Sequence, residues 1–390
     1  MHYALLRLRL SVARDSSFTR LIPTRDEVII MKSFMGPRRP ELTDPNPDSL
    51  KGSVGPVLFD RPSLREAREL IESQGLRFEP EFDDLVGLFE DGQLVACGAR
   101  AGYVLKMLAI APSHQGTDAL GELVTKLILS AISAGHDSVF VFTLPQNVAS
   151  FEALNFRLLV THGQTALLEH GPGLEDYLAR HASQITQGYN GAVVINGNPF
   201  TLGHLHLVEC AAQRVDRLYL FVVREDQSAF PFAVRFRLAQ EATAHLRNVT
   251  VLDTSRYAVS AGTFPAYFLK RLDEFAAAQM QIDLLLFAQR IAPRFHIACR
   301  FVGQEPLCET TAAYNKMMAE ILEAHAIRCV ELPRILAGGS PISATRVRRA
   351  FAANDIETLR CLVPPATFEF LQSPPACPIA ERLRSEMEEA

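Results

Sequence analysis

Two short polar stretches contain the residue types from which a phosphate site can be built. The first, Thr201-Leu202-Gly203-His204, follows an apolar run at 192–195 and a loop that includes Asn198 and Pro199. From Leu202 onward apolar residues recur at helical spacing, so the pattern predicts a strand, a glycine-bearing loop and a helix start. Such a helix start offers unpaired N–H groups and partial positive charge. Many α/β proteins have a glycine in this turn and bind nothing there, so this stretch alone leaves both interpretations open.

The second stretch begins at residue 340 and reads SPISATRVRRA. Ser343 or Thr345 could cap a helix that starts near them. Arg346, Arg348 and Arg349 lie in its first turns, where cations oppose the helix dipole. Such a cluster indicates an anion to be held, and the alternative is a basic helix face in contact with water.

Together the stretches resemble the paired motifs of the nucleotidylyltransferase superfamily, [H/T]-x-G-H after a first strand and I-S-x-T-x-x-R before a late helix. They lie about 140 residues apart and in the same order. The resemblance implies an α/β fold, a Rossmann-like doubly wound parallel sheet, in which Thr201, His204 and Arg348 are catalytic. It also implies a set of residues that contact the nucleotide: Asn198, Gly203, Gly303, Glu305, Ser343, Thr345 and Arg346.

Length and composition limit the class of protein. A chain of 390 residues predicts two or three domains. Its 48% hydrophobic and 21% charged residues are typical of soluble globular proteins. A net charge of −5 gives no general attraction to nucleic acid or to a membrane surface. No apolar run approaches the roughly 20 residues that span a bilayer, so neither nucleic acid nor membrane is expected as a partner.

The cysteines indicate a reducing compartment. Seven cysteines are scattered along the chain without a C-x-x-C pair. An odd number in mostly apolar settings is typical of reduced thiols and not of disulfides or a zinc site. We therefore expect a cytoplasmic protein with no resident metal.

The first 54 residues have a different composition from the rest of the chain. Residues 1–25 contain five arginines and one acidic residue, Asp15, as an organelle transit peptide would. The alternatives are a disordered extension or a start at Met31, and we favour these. Residues 36–56 are rich in Pro, Gly, Asp and Ser and predict an unstructured linker.

The next unit, 55–175, resembles the GNAT acetyltransferase fold. Its predicted elements are a capped helix at 64–73, a hairpin at 84–99, a strand at 104–110, a helix at 120–133 and a strand at 138–143. Gln115 matches the first position of the motif with which that family cradles a CoA pyrophosphate. Asp118 and Leu120 replace its glycines, so we expect no acetyl transfer by this domain alone. The domain could instead bind a CoA-like arm loosely, or it could act as a docking domain.

After a boundary near Gly171-Pro172-Gly173 and 181–187, residues 188–372 alternate predicted strands and helices. This order predicts a right-handed parallel sheet with ligands outside the carboxyl ends of its strands. The predicted strands are 192–195, 218–223, 249–252, 282–286, 300–302 and a short one at 329–332. Residues 373–390 are predicted to form a carboxyl-terminal tail.

Three further features indicate which family of the superfamily the chain resembles. They are the aromatic segment 263–270, the stretch 301–306 followed by Tyr314-Asn315, and the GNAT-like unit in front. With them, residues 58–372 resemble the [citrate (pro-3S)-lyase] ligase family. That resemblance implies that ATP, with Mg²⁺, and acetate give acetyl-AMP and pyrophosphate. The acetyl group then passes to the thiol of a CoA-like arm on the acyl carrier subunit of citrate lyase.

Two other functions stay open at this point. One is a cofactor adenylyltransferase that uses NMN or phosphopantetheine, which is a commoner use of the superfamily. The other is a non-catalytic docking protein that binds citrate lyase and nucleotide.

Overall fold

The computed structural model describes residues 61–224, 228–260, 274–304 and 309–388. The predicted extension 1–54, the aromatic segment 263–270 and Glu305 lie outside the described residues.

The amino-terminal domain is built on a six-stranded sheet in the order β1-β2-β3-β4-β6-β5. Its strands are β1 Asp84–Glu90, β2 Gln93–Ala101, β3 Val104–Ile110, β4 Val139–Thr143, β5 Phe156–His162 and β6 Thr165–His170. All neighbours are antiparallel except β3 and β4, which pair in parallel only at Val104 with Phe140 and at Leu105 with Val141. The sheet therefore opens beyond these two pairs. The mixed sheet confirms the GNAT-like α+β expectation.

Helices cover this sheet and join it to the next domain. They are α1 Leu64–Ser73, α2 Ala119–Ser133, α3 Val148–Glu152 and α4 Gly173–His181. At the start of α1, the side chain of Ser63 accepts from the N–H of Glu66, and the Glu66 carboxylate accepts from the N–H of Ser63 at 3.0 Å. This reciprocal cap was predicted from the sequence and is confirmed.

The carboxyl-terminal domain contains five parallel strands in the order β11-β10-β7-β8-β9. They are β7 Asn190–Ile195, β8 Arg217–Val222, β9 Val249–Asp253, β10 Ile297–Gly303 and β11 Arg328–Leu332. Because the chain leaves β7 first toward one edge and then toward the other, the topology reverses between β7 and β10. This is the doubly wound, Rossmann-like order that was expected, and ligands bind such sheets at this reversal.

The helices of this domain lie on both faces of the sheet. They are α5 Leu202–Ala212, α6 Phe232–Thr243, α7 Glu274–Leu286, α8 Glu309–Ala324, α9 Ala344–Ala352, α10 Ile356–Leu362, α11 Pro365–Leu371 and α12 Cys377–Glu388. A short hairpin, β12 Leu336–Ala337 and β13 Ser340–Pro341, precedes α9.

One predicted strand is wrong. Residues 282–286 belong to α7, which continues as a π-helical turn, Phe287–Ile291. Ile282, Leu284, Leu285 and Leu286 are all buried. This helix is buried on every side, at Asp283 as well, and its mostly apolar run has the pattern of a buried strand, so periodicity cannot separate the two.

The two domains share a hydrophobic core. Phe140, Leu159 and Tyr177 of the amino-terminal half are in one buried cluster with Phe221 and Phe287 of the carboxyl-terminal half. The predicted boundary at 181–187 accordingly contains the end of α4 and a 3₁₀ turn, Ala182–Gln184, and is not an open linker.

The segment expected as a tail folds onto the carboxyl-terminal domain. In α12, Ile379, Ala380 and Leu383 are buried in the cluster that also contains Val347 of α9. The Nε atom of Arg384 donates to the carbonyl of Ala352 at 3.1 Å. Helix α12 therefore supports the helix that bears the second motif. Among the described residues no helix is both long and apolar enough to cross a membrane.

Candidate active site

The first motif forms a capped turn after β7. Thr201 is the N-cap of α5, and its Oγ1 accepts from the backbone N–H of His204 at 3.3 Å. In return the backbone N–H of Thr201 donates to Nδ1 of His204 at 3.0 Å. This is a capping box in which a histidine takes the place usually held by glutamate or glutamine.

These contacts define the protonation state of His204. Since Nδ1 accepts from a backbone N–H, the proton of the neutral ring is on Nε2. Burial and the positive charge of Arg334 lower the pKa of His204 to about 4. At neutral pH the ring is therefore an uncharged donor, and no partner of Nε2 is recorded within the described chain.

The Thr201 hydroxyl is enclosed in the same turn. Thr201 is only 1% exposed, and its Oγ1 lies 3.0 Å from Nδ1 of His204. The hydroxyl thus contacts the imidazole and the helix start, so its direct effect in this arrangement is to orient His204.

The second motif begins a helix as predicted. Ser343 is the N-cap of α9, and its Oγ accepts from the N–H of Arg346 at 3.2 Å. Arg346 turns back to the β12–β13 hairpin, where its Nη1 donates to the carbonyls of Ala337, Ser340 and Pro341 at 3.2, 2.9 and 3.0 Å. Arg346 therefore fixes the hairpin that leads into the helix.

Arg348 joins the two motifs. Its Nη1 donates to the carbonyl of Asn198 at 2.7 Å, and its Nη2 donates to Oγ1 of Thr345 at 3.2 Å. Burial lowers the pKa of Arg348, but a guanidinium remains charged at any pH of interest. The motifs are also close at Gly203, where a Cβ would lie 3.3 Å from the carbonyl oxygen of Ile342. The structure thus brings together the two stretches that the sequence paired.

Sequence reasoning missed Arg235. This side chain is fully buried in α6, and its Nη1 donates to the carbonyls of Asn196 and Val223 at 2.8 and 2.7 Å. Its Nε donates to the carbonyl of Phe230 at 2.9 Å. It therefore ties together the loops that follow β7 and β8. An arginine in an amphipathic helix, as Arg235 and Arg237 both are, predicts a surface position, so the sequence carried no signal for this role.

Asn198 belongs to the same framework. Its Oδ1 accepts from the N–H of Phe230 at 2.9 Å, while its carbonyl accepts from Arg348. Both oxygens of this residue are used to hold the loop in place.

Gly303 is the last residue of β10, the strand that pairs with β7 on the other side of the topological reversal. Its carbonyl accepts from Nδ2 of Asn315 at 3.2 Å. A Cβ at this position would meet no atom within 4 Å, so there is open space beside the backbone. The neighbouring candidate, Glu305, lies outside the described residues.

A separate cleft of about 810 Å³ lies in the amino-terminal domain where β3 and β4 diverge. It contains a buried pair, Lys106 Nζ to Glu79 Oε2 at 3.2 Å, and burial raises the pKa of Glu79. Gln115 lines the cleft, but its Nε2 donates to Oε1 of Gln74 at 3.0 Å. Asp118 and Leu120 line it as well. None of its lining residues belongs to the paired motifs.

Thiols and metal ligands do not form a site in the described part of the chain. Its six cysteines are all free, and burial raises the pKa of Cys97 to about 12. No group of three His, Cys, Asp or Glu residues there is arranged to hold a metal ion.

Known proteins match the chain across both domains. A family model described as citrate lyase ligase C-terminal domain matches residues 190–371. The [Citrate [pro-3S]-lyase] ligase of Klebsiella pneumoniae is 39% identical over 324 residues, which cover 81% of this chain and 94% of that protein. The protein of the same name from Escherichia coli strain K12 is 34% identical over 318 residues, or 80% and 90%. A phosphopantetheine adenylyltransferase of Streptococcus sanguinis is 42% identical over 57 residues, 14% of this chain and 35% of that protein.

Proposed function

The chain belongs to the [citrate [pro-3S]-lyase] ligase family, and we propose that it is an AMP-forming acid–thiol ligase that activates acetate with ATP. In the first step an acetate oxygen bonds to the α-phosphorus while the bond to the bridging oxygen of pyrophosphate breaks. In the second step a thiolate attacks the acetyl carbon and AMP leaves. The thiol belongs to the CoA-like arm of the citrate lyase acyl carrier subunit, which is thereby acetylated.

The first step needs positioning and hydrogen-bond donors more than proton transfer. Acetate is already ionised at neutral pH, and negative charge grows on the phosphate and leaving-group oxygens. The Nε2–H of His204 and the free N–H groups at the start of α5 are suited to the α-phosphate. The contact at Nδ1 supports this role, because it leaves the proton of the neutral ring on Nε2, where it can be donated to a phosphate oxygen.

The leaving pyrophosphate is assigned to the start of α9. Arg348 supplies charge, and Ser343 and Thr345 line the same helix start, with Arg346 behind them. The observation that carries the proposal is the 2.7 Å contact between Arg348 and the Asn198 carbonyl, because it puts this helix start against the His204 turn. A guanidinium beside an imidazole donor can bracket a triphosphate.

The other groups of the site support the residues that contact phosphate or contact other parts of the substrates. Thr201 acts in this proposal as a positioning residue for His204, Gly303 is assigned to the nucleoside, and the resemblance to the superfamily assigns Glu305 to it as well. Mg²⁺ is expected to arrive with ATP, held by phosphate oxygens and water, and would neutralise phosphate charge when bound. A thiol of pKa about 8.5 must be deprotonated for the second step, and no residue is assigned as its base.

Isotope exchange between pyrophosphate and ATP tests this function, with a panel of small carboxylates, NMN and phosphopantetheine. Exchange that requires acetate supports the ligase. Exchange that ignores carboxylates and requires NMN or phosphopantetheine identifies an adenylyltransferase instead. ATP binding without exchange under every condition identifies a docking protein. When variants of Arg348 are tested in this assay, Arg349→Ala is a suitable control, since this exposed arginine neighbours Arg348.

A further inference from the structure

A second cavity lies between the two domains, at the carboxyl ends of β8 and β9. Its volume is about 710 Å³. Arg224 follows β8, Arg256 follows β9, and Arg180 lies in the last turn of α4. Tyr103, in the turn between β2 and β3, closes the cavity from the amino-terminal domain. The cavity therefore exists only because the two domains pack against each other.

The arginines of this cavity are not equally engaged. Arg256 is anchored, since its Nη2 lies 3.1 Å from Oδ1 of Asp137 and its Nη1 donates to the carbonyl of Ser138 at 2.8 Å. Arg224 lies 3.6 Å from the Asp253 carboxylate and 5.3 Å from the centroid of the Phe232 ring, and its side chain is 53% exposed. Among the described residues, the contact of Arg180 is with the ring of Tyr177, whose centroid lies 6.0 Å from the guanidinium carbon. Arg180 and Arg224 thus keep N–H donors for a ligand.

The number of arginines distinguishes this cavity from the cleft of the amino-terminal domain. Three arginines line the interdomain cavity with Asp137 and Asp176, and Asp253 lies 3.6 Å from Arg224. The cleft contains one arginine, Arg77, and its Lys106 is paired with Glu79 at 3.2 Å. The interdomain cavity therefore has more of the guanidinium groups that match phosphate oxygens.

The cavity lies at the same edge of the sheet as the candidate active site. Strand β8 pairs with β7, the strand that leads into the Thr201–His204 turn, and adjacent strands are about 4.8 Å apart. Arg235 links the two strand ends through the carbonyls of Asn196 and Val223. A ligand held at β8 and β9 can thus extend sideways to the edge where acetyl-AMP would form.

We propose that Arg180 and Arg224 bind phosphate groups of the CoA-like arm in this interdomain cavity, while the thiol end extends toward His204. The planar guanidinium presents paired N–H donors that match phosphate oxygens. The inference rests on the proposed function, because it names where that reaction takes its second substrate. It also assigns the amino-terminal domain a part in the site, through the wall at Tyr103 and Asp137.

The two half-reactions separate this inference from the function itself. Acetate-dependent pyrophosphate exchange needs no carrier, whereas acetyl transfer to the carrier needs the arm. Arg180→Ala and Arg224→Ala are each expected to raise the KM for the carrier about tenfold, as for one lost charge-assisted hydrogen bond. Their exchange rates should match that of the unmodified protein. Arg294→Ala is the matched control, an exposed arginine paired with Glu175 outside this cavity.

An unchanged KM for the carrier in the Arg180→Ala, Arg224→Ala double variant would overturn the arm site and leave the ligase function standing. Absence of acetate-dependent exchange in the unmodified protein would instead contradict the function.

Coenzyme A gives a direct binding test as a free substitute for the arm. Calorimetric titration should show about tenfold weaker binding in each arginine variant. Added salt should weaken coenzyme A binding more steeply in the unmodified protein than in the double variant, because the double variant forms fewer ion pairs with the ligand. Binding that is unaffected by the arginine variants but lost in Gln115→Ala would overturn the proposal and put the arm in the amino-terminal cleft.

Discussion

The guanidinium of Arg348 is bonded through Nη1 to the carbonyl oxygen of Asn198, a residue 150 positions earlier in the chain. Asn198 stands three residues before Thr201, the cap of α5, and Arg348 lies in α9. One hydrogen bond therefore connects the two helix starts that the proposed reaction uses. The same guanidinium contacts Thr345, so its orientation is set by two elements at once.

Replacing Arg348 is expected to affect both ATP binding and the chemical step. Arg348→Ala removes a cation from the pyrophosphate site and the tie to the Asn198 loop, so the KM for ATP should rise and kcat should fall. The measurement is acetate-dependent exchange over a range of ATP concentrations. The exposed Arg349→Ala should leave both constants near those of the unmodified protein. An unchanged KM for ATP in Arg348→Ala would argue against its triphosphate role.

Removal of the imidazole should slow the reaction strongly. His204→Ala deletes the Nε2–H donor that is assigned to the α-phosphate, and loss of one such donor typically lowers turnover about 10²- to 10³-fold. Exchange at saturating ATP and acetate measures this effect. A rate close to that of the unmodified protein would remove His204 from the mechanism.

His204 should also make stability depend on pH in a defined direction. Its pKa is about 4 in the folded protein and near 6.5 in the unfolded chain. Between these values the unfolded chain binds the proton and the folded one does not, so stability is present above pH 6.5 and is lost as the pH falls toward 4.

From pH 7 to pH 5 this loss should reach up to about 2 kcal/mol. The His204→Gln variant lacks the titrating group, so its free energy of unfolding should fall less over the same interval. Denaturant unfolding at the two pH values gives the comparison, and equal losses in both proteins would contradict the assignment.

The contact between Tyr257 and Glu169 should stabilise the docking of the two domains. The Tyr257 hydroxyl donates to Oε1 of the fully buried Glu169 at 2.6 Å, and Oε2 accepts from the N–H of Leu174 at 3.1 Å. Tyr257→Phe leaves one buried oxygen without its donor, which should cost about 1–3 kcal/mol.

A double-mutant cycle with Glu169→Leu isolates the pair, because leucine has no atom that can accept from the Tyr257 hydroxyl. Denaturant titration of the single and double variants should give a coupling energy well above zero. Additive losses would show that the hydrogen bond contributes little to domain docking.

Much of the secondary structure and the pairing of the motifs followed from the sequence. The cap at Ser63, the start of α5 at Leu202 and the start of α9 after Ser343 depend on contacts within four residues. Such local contacts are readable because the partners are close in the chain. A right-handed parallel sheet could be expected because predicted strands and helices alternate along the chain.

The errors and omissions have a different origin. The run at 282–286 was assigned to a strand because complete burial removes the periodicity that marks a helix. Arg235 gave no sequence signal because its partners, the carbonyls of Asn196, Val223 and Phe230, are backbone atoms that every residue has. The shared core of the two domains was likewise unpredictable, since apolar residues do not specify which other apolar face they meet.

The sequence by itself paired a glycine-bearing turn with an arginine-bearing helix start, because their residue types and order resemble the two motifs of a known superfamily. Only the tertiary structure decided the roles within it. It put the Thr201 hydroxyl against His204, turned Arg346 to the hairpin and directed Arg348 to the Asn198 loop. It also created the interdomain cavity. These outcomes depend on distances between atoms far apart in the chain, and such distances are set by packing and not by local residue pattern.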